Sequence, residues 1–226
     1  MTTTVFDSSF ASAQVTRDNP RMTADSRDSA WRYDQGAKAA RYRARSGERT
    51  RREAEILTEL FGGLTLGSVL DAPCGAGRLA ELVAAFDGTW VGADLSTSML
   101  EQARLAGARG LLRARVDALP FARDAFDTVI CFRFLHHLRP RDQLVVLREL
   151  ARVARSAIVV SAFSRLSLHG MRRRLNHWIR RSEPGRFALS LSQLDGAMRD
   201  AGFTRTALVR DGIGRDLFVA RYESRS

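Results

Sequence analysis

Residues 66–99 read LGSVLDAPCGAGRLAELVAAFDGTWVGADLSTSM, a strand, a glycine turn, a helix and a second strand that ends in an acid. Val69 and Leu70 close a short apolar strand, and Gly75 and Gly77 let the backbone turn tightly against a ligand. Leu79 to Phe86 then follow an amphipathic helical pattern whose first N–H groups face that turn. Asp94 comes nineteen residues after Gly75, at the end of the strand Trp90 to Ala93. At that spacing a carboxylate reaches the two hydroxyls of a ribose bound across neighbouring strands, so a nucleoside ligand is the first expectation.

Two ligands suit such a unit. Gly75, Gly77 and Ala80 satisfy the dinucleotide fingerprint G-x-G-x-x-G/A, which keeps an NAD-dependent oxidoreductase in play. Asp71 argues the other way. A carboxylate beside the turn repels a pyrophosphate and attracts the ammonium and sulfonium charges of S-adenosylmethionine. Val116-Asp-Ala-Leu-Pro-Phe121 follows the third strand, where Asp117 can accept from an adenine amino group with Ala118 and Leu119 against the ring. Lys38 is the one lysine of the sequence, so the Tyr-x-x-x-Lys pair of short-chain dehydrogenases is excluded.

In that order, LDAPCGAGR (70–78), VGADLSTSML (91–100), VDALPF (116–121) and FDTVICFRFLHHL (126–138) resemble the successive motifs of class I S-adenosylmethionine-dependent methyltransferases. The nearest subgroup is the small-molecule branch related to ubiquinone and menaquinone biosynthesis. Pro73 stands where the fullest family pattern has a glycine, which stiffens the turn and removes one backbone donor. The resemblance implies a Rossmann-like, doubly wound seven-stranded α/β sheet, mostly parallel with an antiparallel C-terminal strand. It implies S-adenosyl-L-methionine as cofactor, with Asp71, Ala72, Gly75 and Gly77 at its methionine end, Asp94, Leu95 and Met99 at its ribose, and Asp117, Ala118 and Leu119 at its adenine. Arg133 is a candidate for the methionine carboxylate or for an anionic substrate. Tyr33 and Tyr42, in an N-terminal helix that closes such sites, are candidates for covering the methionine portion.

The rest of the chain fits one unit. The sequence has 226 residues and 45% hydrophobic content, enough to bury a full core. Residues 1–29 are rich in Ser, Thr and Asp without apolar period and read as a tail, leaving 30–226 as a single domain. Helices are expected over 30–45 and 48–61, forming a cap (30–62) ended by Gly62 and Gly63. Strands are expected at 67–71, 90–94, 111–116, 126–132, 157–163, 203–210 and 215–222, with helices between the first five. The last two strands, joined through Asp211-Gly-Ile-Gly214, should be antiparallel neighbours. Either Ser96 or a Ser98/Glu101 box can cap the helix after Asp94.

No apolar run reaches membrane-span length and the first basic residue is Arg17, so the expectation is a cytoplasmic protein. Cys74 and Cys131 suit a reducing compartment and read as small residues near a ligand rather than as nucleophiles.

The net charge of +11 is concentrated in two places. Residues 32–52 hold eight basic and two acidic side chains, and residues 165–186 hold seven and one. Within the insertion 164–186, Leu168, Met171, Leu175, Trp178 and Ile179 share one helical stripe opposite Arg173, Arg174, Arg180 and Arg181. Such a segment can serve as a solvated surface, cover a site, rest on anionic lipid, or clamp an anionic acceptor.

Chemistry belongs beyond the C-terminal ends of the strands. The fourth strand runs into His136 and His137, candidates for the base that takes a proton from an acceptor hydroxyl, which fits O-methylation of a small molecule or glycoconjugate. His169 and His177, within the basic segment, read as structural or surface residues. RNA methylation is the alternative suggested by the basic segments, weakened by the lack of an Asn/Asp-Pro-Pro-aromatic motif. A non-catalytic S-adenosylmethionine-binding module is the alternative if both histidines are idle.

Overall fold

In a computed structural model, the structure describes residues 47–163, 187–211 and 217–225. The expected tail, the 30–45 helix with Tyr33 and Tyr42, and the basic insertion 164–186 lie outside them.

A seven-stranded sheet is built from β1 (Ser68–Asp71), β2 (Thr89–Asp94), β3 (Leu111–Arg113), β4 (Phe126–Cys131), β5 (Ala154–Phe163), β6 (Phe203–Arg210) and β7 (Leu217–Ser224), in the order β3-β2-β1-β4-β5-β7-β6. The first five are parallel, while β7 lies antiparallel between β5 and β6. This is the doubly wound sheet that the alternation of elements predicts. β1 sits at the centre with β2 and β4 on either side, so the strand order reverses there and opens a crevice at the strands' carboxyl ends.

The central strands are apolar on both faces because both are covered. Leu70, Val129 and Ile158 face one core with α4 (Pro140–Val153) and α5 (Leu191–Asp200). Their chain neighbours Val69, Ile130 and Val159 face the other, with α1 (Gly47–Phe61) and α2 (Ala80–Ala84). The two-residue period of a strand produces this partition, and each such side chain taken fully from water contributes roughly 2 kcal/mol. α1 supplies Ile56, Leu57, Leu60 and Phe61 to the second core.

Several element bounds differ from expectation. The helix expected over 79–86 contracts to α2, because turns occupy the chain from Gly75 to Leu79 and Asp87 leaves the helical region at φ 55°. β3 stops at Arg113, since Val116 and Asp117 turn inward and become buried. β5 starts at Ala154, directly after α4, and takes up the offset in an irregularity opposite Phe126 to Thr128. Ser96, not the Ser98/Glu101 box, caps α3 (Thr97–Leu105), its hydroxyl accepting from Met99 N–H at 3.2 Å.

Candidate active site

The glycine turn is knitted to both neighbours of β1. Ala72 N–H donates to Ile130 O and Cys74 N–H to Ala93 O, each at 2.9 Å. Gly75 and Gly77 both take left-handed conformations, at φ 54° and 71°, but for different ends. A Cβ on Gly77 would meet Ala103 Cβ at 2.9 Å, so this glycine lets α3 pack closely. A Cβ on Gly75 would meet nothing within 4 Å, so the turn forms a cradle open on this side.

Two acids border that cradle. Asp94, half-buried at the end of β2, accepts from Gly75 N–H through Oδ2 at 2.8 Å and from Ser96 N–H through Oδ1 at 2.9 Å. These two bonds orient the carboxylate toward the turn. Asp71, at the end of β1, is 1% exposed, and its Oδ2 has no hydrogen-bond partner. Burial pushes its carboxyl up to about 8, only partly offset by the Trp90 indole and the Arg78 cation. Trp90 Nε1, which acts on this carboxyl, is likewise buried without closing a hydrogen bond. Trp90 lies over Gly92, where a side chain would run into its ring at 2.2 Å. A carboxyl buried beside an open turn regains its charge when a cation is set against it.

Beyond β3, Asp117 is fully buried, and its Oδ2 accepts from Arg115 at 2.6 Å. Ala118 is half-buried. Leu119 is 3% exposed, packs in the core, and its N–H donates to Glu149 at 2.8 Å. Arg152 also holds this segment, donating to Phe121 O and Leu119 O. Ala72 and Met99 are buried, and Leu95 is half-buried.

On the other side of β1, Arg133, two residues past the end of β4, takes a left-handed conformation, φ 56°. Its N–H donates to Ser161 Oγ, and its Nη1 to Glu53 Oε1 at 2.6 Å. Glu53 is 5% exposed and also accepts from Arg78 at 2.8 Å. One acid of α1 therefore ties the glycine turn to the end of β4. Sequence reading missed Glu53 and Arg78. The available signal was a charge at position 53 on the same helical stripe as Ile56, Leu57 and Leu60.

After Arg133 the chain forms a short 3-10 turn, Leu135–His137. His136 is 3% exposed and wedged between His137 and Phe163, with ring centroids at 3.9 and 4.5 Å. His137 is half-buried. Both thiols are inert by environment, since burial raises Cys74 and Cys131 well above the usual range.

The family model for a methyltransferase domain matches residues 69–157, from β1 to β5. Residues 69–157 are a class I S-adenosylmethionine-dependent methyltransferase domain. Methyltransferase GfsG of Streptomyces halstedii is 37% identical over 120 residues, covering 50% of this chain and 41% of that protein. A ubiquinone biosynthesis O-methyltransferase of Nitrosomonas europaea is 32% identical over 106 residues, covering 44% of each. The matches thus span less than half the length of these curated relatives. In fold, the methyltransferase domain and its C-terminal strands are similar to the magnesium protoporphyrin IX methyltransferase of Synechocystis with bound SAH. That likeness has a TM-score of 0.70 at 17% identity over 86% of this chain and 97% of that one.

Proposed function

We propose that the protein is an S-adenosylmethionine-dependent methyltransferase acting on a small-molecule acceptor, and that transfer is to oxygen. The observation that carries this reading is the buried Asp71 carboxyl, whose Oδ2 closes no hydrogen bond, beside the open Gly75 turn, with Asp94 oriented by that turn. A cationic ligand repairs the desolvation of Asp71, whereas the pyrophosphate of NAD would aggravate it.

S-adenosylmethionine supplies an electrophilic methyl group on a sulfonium. In this reading Asp71 receives the ammonium of its methionine end, Asp94 the ribose hydroxyls, and Asp117 the adenine amino group with Ala118 alongside. Arg133 has Nη1 on Glu53, leaving the other edge of its guanidinium for a carboxylate. Ala72, Leu95 and Met99 line the same edge, and Tyr33 and Tyr42 are kept as cover for the methionine end. His137, the more accessible of the pair, takes the acceptor hydroxyl proton on an imidazole nitrogen, and buried His136 holds its ring in place. Holding nucleophile and methyl group in line lowers the barrier by several kcal/mol. The ubiquinone O-methyltransferase relative supports oxygen as the acceptor atom.

Incubation with methyl-labelled cofactor and fractionated small-molecule extract tests this. Label should pass to an organic-soluble product in an Asp71- and Asp94-dependent way. No incorporation from any fraction, with cofactor still bound, would favour the non-catalytic module, and incorporation into RNA alone would favour the nucleic-acid alternative.

A further inference from the structure

On the sheet face carrying α4 and α5, the two helices enclose a groove of about 720 Å³. One wall is an exposed stripe of α4, Arg141, Leu144 and Arg148, spaced i, i+3, i+7. Arg123 adds a third cation at the rim. None of the three arginines is ion-paired or hydrogen-bonded through its side chain among the described residues. Leu144 is 39% exposed, one of two large apolar side chains so exposed among the described residues.

The opposite wall is α5, where Gly196, Ala197 and Ala201 present almost no side chain and Asp200 is the one acid lining the groove. Gly196 is mid-helix and has no positive φ. A Cβ there would meet nothing within 4 Å. Glycine at such a position costs about 1 kcal/mol relative to alanine. Nothing within the described chain needs that space. α5 itself is fastened on its other side, Asp195 accepting from Tyr222 at 2.8 Å and from Arg205 at 3.0 Å. The missing side chain therefore makes sense as room for another backbone to approach closely.

We propose that this groove docks an acidic amphipathic helix of a partner protein. Carboxylates on the helix would meet Arg123, Arg141 and Arg148, its apolar ridge would cover Leu144, and its backbone would lie against Gly196 and Ala197. α4 has 14 residues, about 21 Å of helix, so the docked element would be about four turns long. The chain's own 165–186 segment is a poor occupant, because it carries seven basic residues against one acid. A polynucleotide would use the arginines but has no use for the exposed leucine or the glycine. Two residues of the groove wall, Arg141 and Leu189, are close in the chain to His137 and Phe187, and Phe187 N–H donates to His136 O at 2.8 Å.

The probe is a fluorescent synthetic helix of about four turns with leucines at i, i+3, i+4 and i+7 and glutamates elsewhere. A second version carries lysine for glutamate, and a single-stranded RNA oligonucleotide is the third probe. Anisotropy should show saturable binding of the acidic helix only. Arg141→Glu/Arg148→Glu and Gly196→Leu should each weaken it at least about tenfold, while S-adenosylhomocysteine affinity and melting temperature change little in Gly196→Leu. The proposal is overturned if acidic and basic helices bind alike or not at all. It is equally overturned if Gly196→Leu leaves acidic-helix affinity unchanged, or if RNA binds through the arginines more tightly than the acidic helix.

Discussion

Replacing Asp71 by asparagine should stabilise the protein while weakening its ligand binding, and the size of the effect follows from where the carboxyl sits. Its pKa moves from an ordinary 3.8 to about 8 because burial penalises the charge. Between those values the folded state holds a proton that the unfolded state has released, so stability falls as pH rises. The slope is about 1.4 kcal/mol per pH unit, and the accumulated penalty at pH 7 is about 4 kcal/mol. Below pH 4 both states are protonated and the penalty vanishes. Asp71→Asn keeps the shape and removes the ionisation. Urea denaturation at unit steps from pH 4 to pH 8 should therefore show the wild type losing stability steadily relative to the variant. Binding of a cationic ligand must displace the proton, so wild-type affinity for S-adenosylmethionine should fall up to about tenfold per unit below pH 8, with proton release visible by calorimetry in buffers of different ionisation heat. Parallel stability curves for the two proteins would refute the reasoning, because Asp71 would then be hydrated or paired in solution.

Three other outcomes follow from the geometry. Glu53→Gln should cost about 3 kcal/mol, or 6–12 °C in Tm, because it leaves Arg78 and Arg133 without their shared, nearly buried acid; a shift under about 2 °C would remove the latch from the account. Gly75→Ala and Gly77→Ala should separate binding from folding. The first costs about 1 kcal/mol of backbone strain yet strongly weakens S-adenosylhomocysteine binding, and the second adds a clash with Ala103 that melts the protein earlier; identical behaviour in thermal shift and titration would contradict this assignment. His137→Ala should lower kcat roughly 10²- to 10⁴-fold with cofactor affinity kept, while His136→Ala should chiefly lower stability; a fully active His137→Ala enzyme would dismiss it as the base.

What could be read in advance was local and periodic. β1, the glycine turn, β2 and Asp94 lie within one stretch, and their apolar runs, left-handed glycines and spacing express short-range rules. The antiparallel β6 and β7 were legible from their close succession in the chain. That β7 inserts between β5 and β6 was not legible from those two strands. Contacts across long sequence distances stayed hidden. Glu53 meets Arg78 and Arg133 from 25 and 80 residues away, and Glu149 captures Leu119 N–H from 30. Alternation at Val116 to Phe121 cannot say that Leu119 joins the core, because that depends on α4 lying beneath it. The groove between α4 and α5 was equally hidden, since Gly196 in isolation is only a weak helix residue.

In the proposed reading, the cradle formed by Asp71, Gly75 and Asp94 holds an adenosyl-sulfonium ligand. Isothermal titration with S-adenosylmethionine, S-adenosylhomocysteine and NAD, on the wild type and on Asp94→Ala, tests it most directly. The account predicts saturable one-to-one binding of both adenosyl compounds, no binding of NAD, and a loss of at least about tenfold in Asp94→Ala without a change in its fold. Tight NAD binding with no response to either adenosyl compound would contradict it.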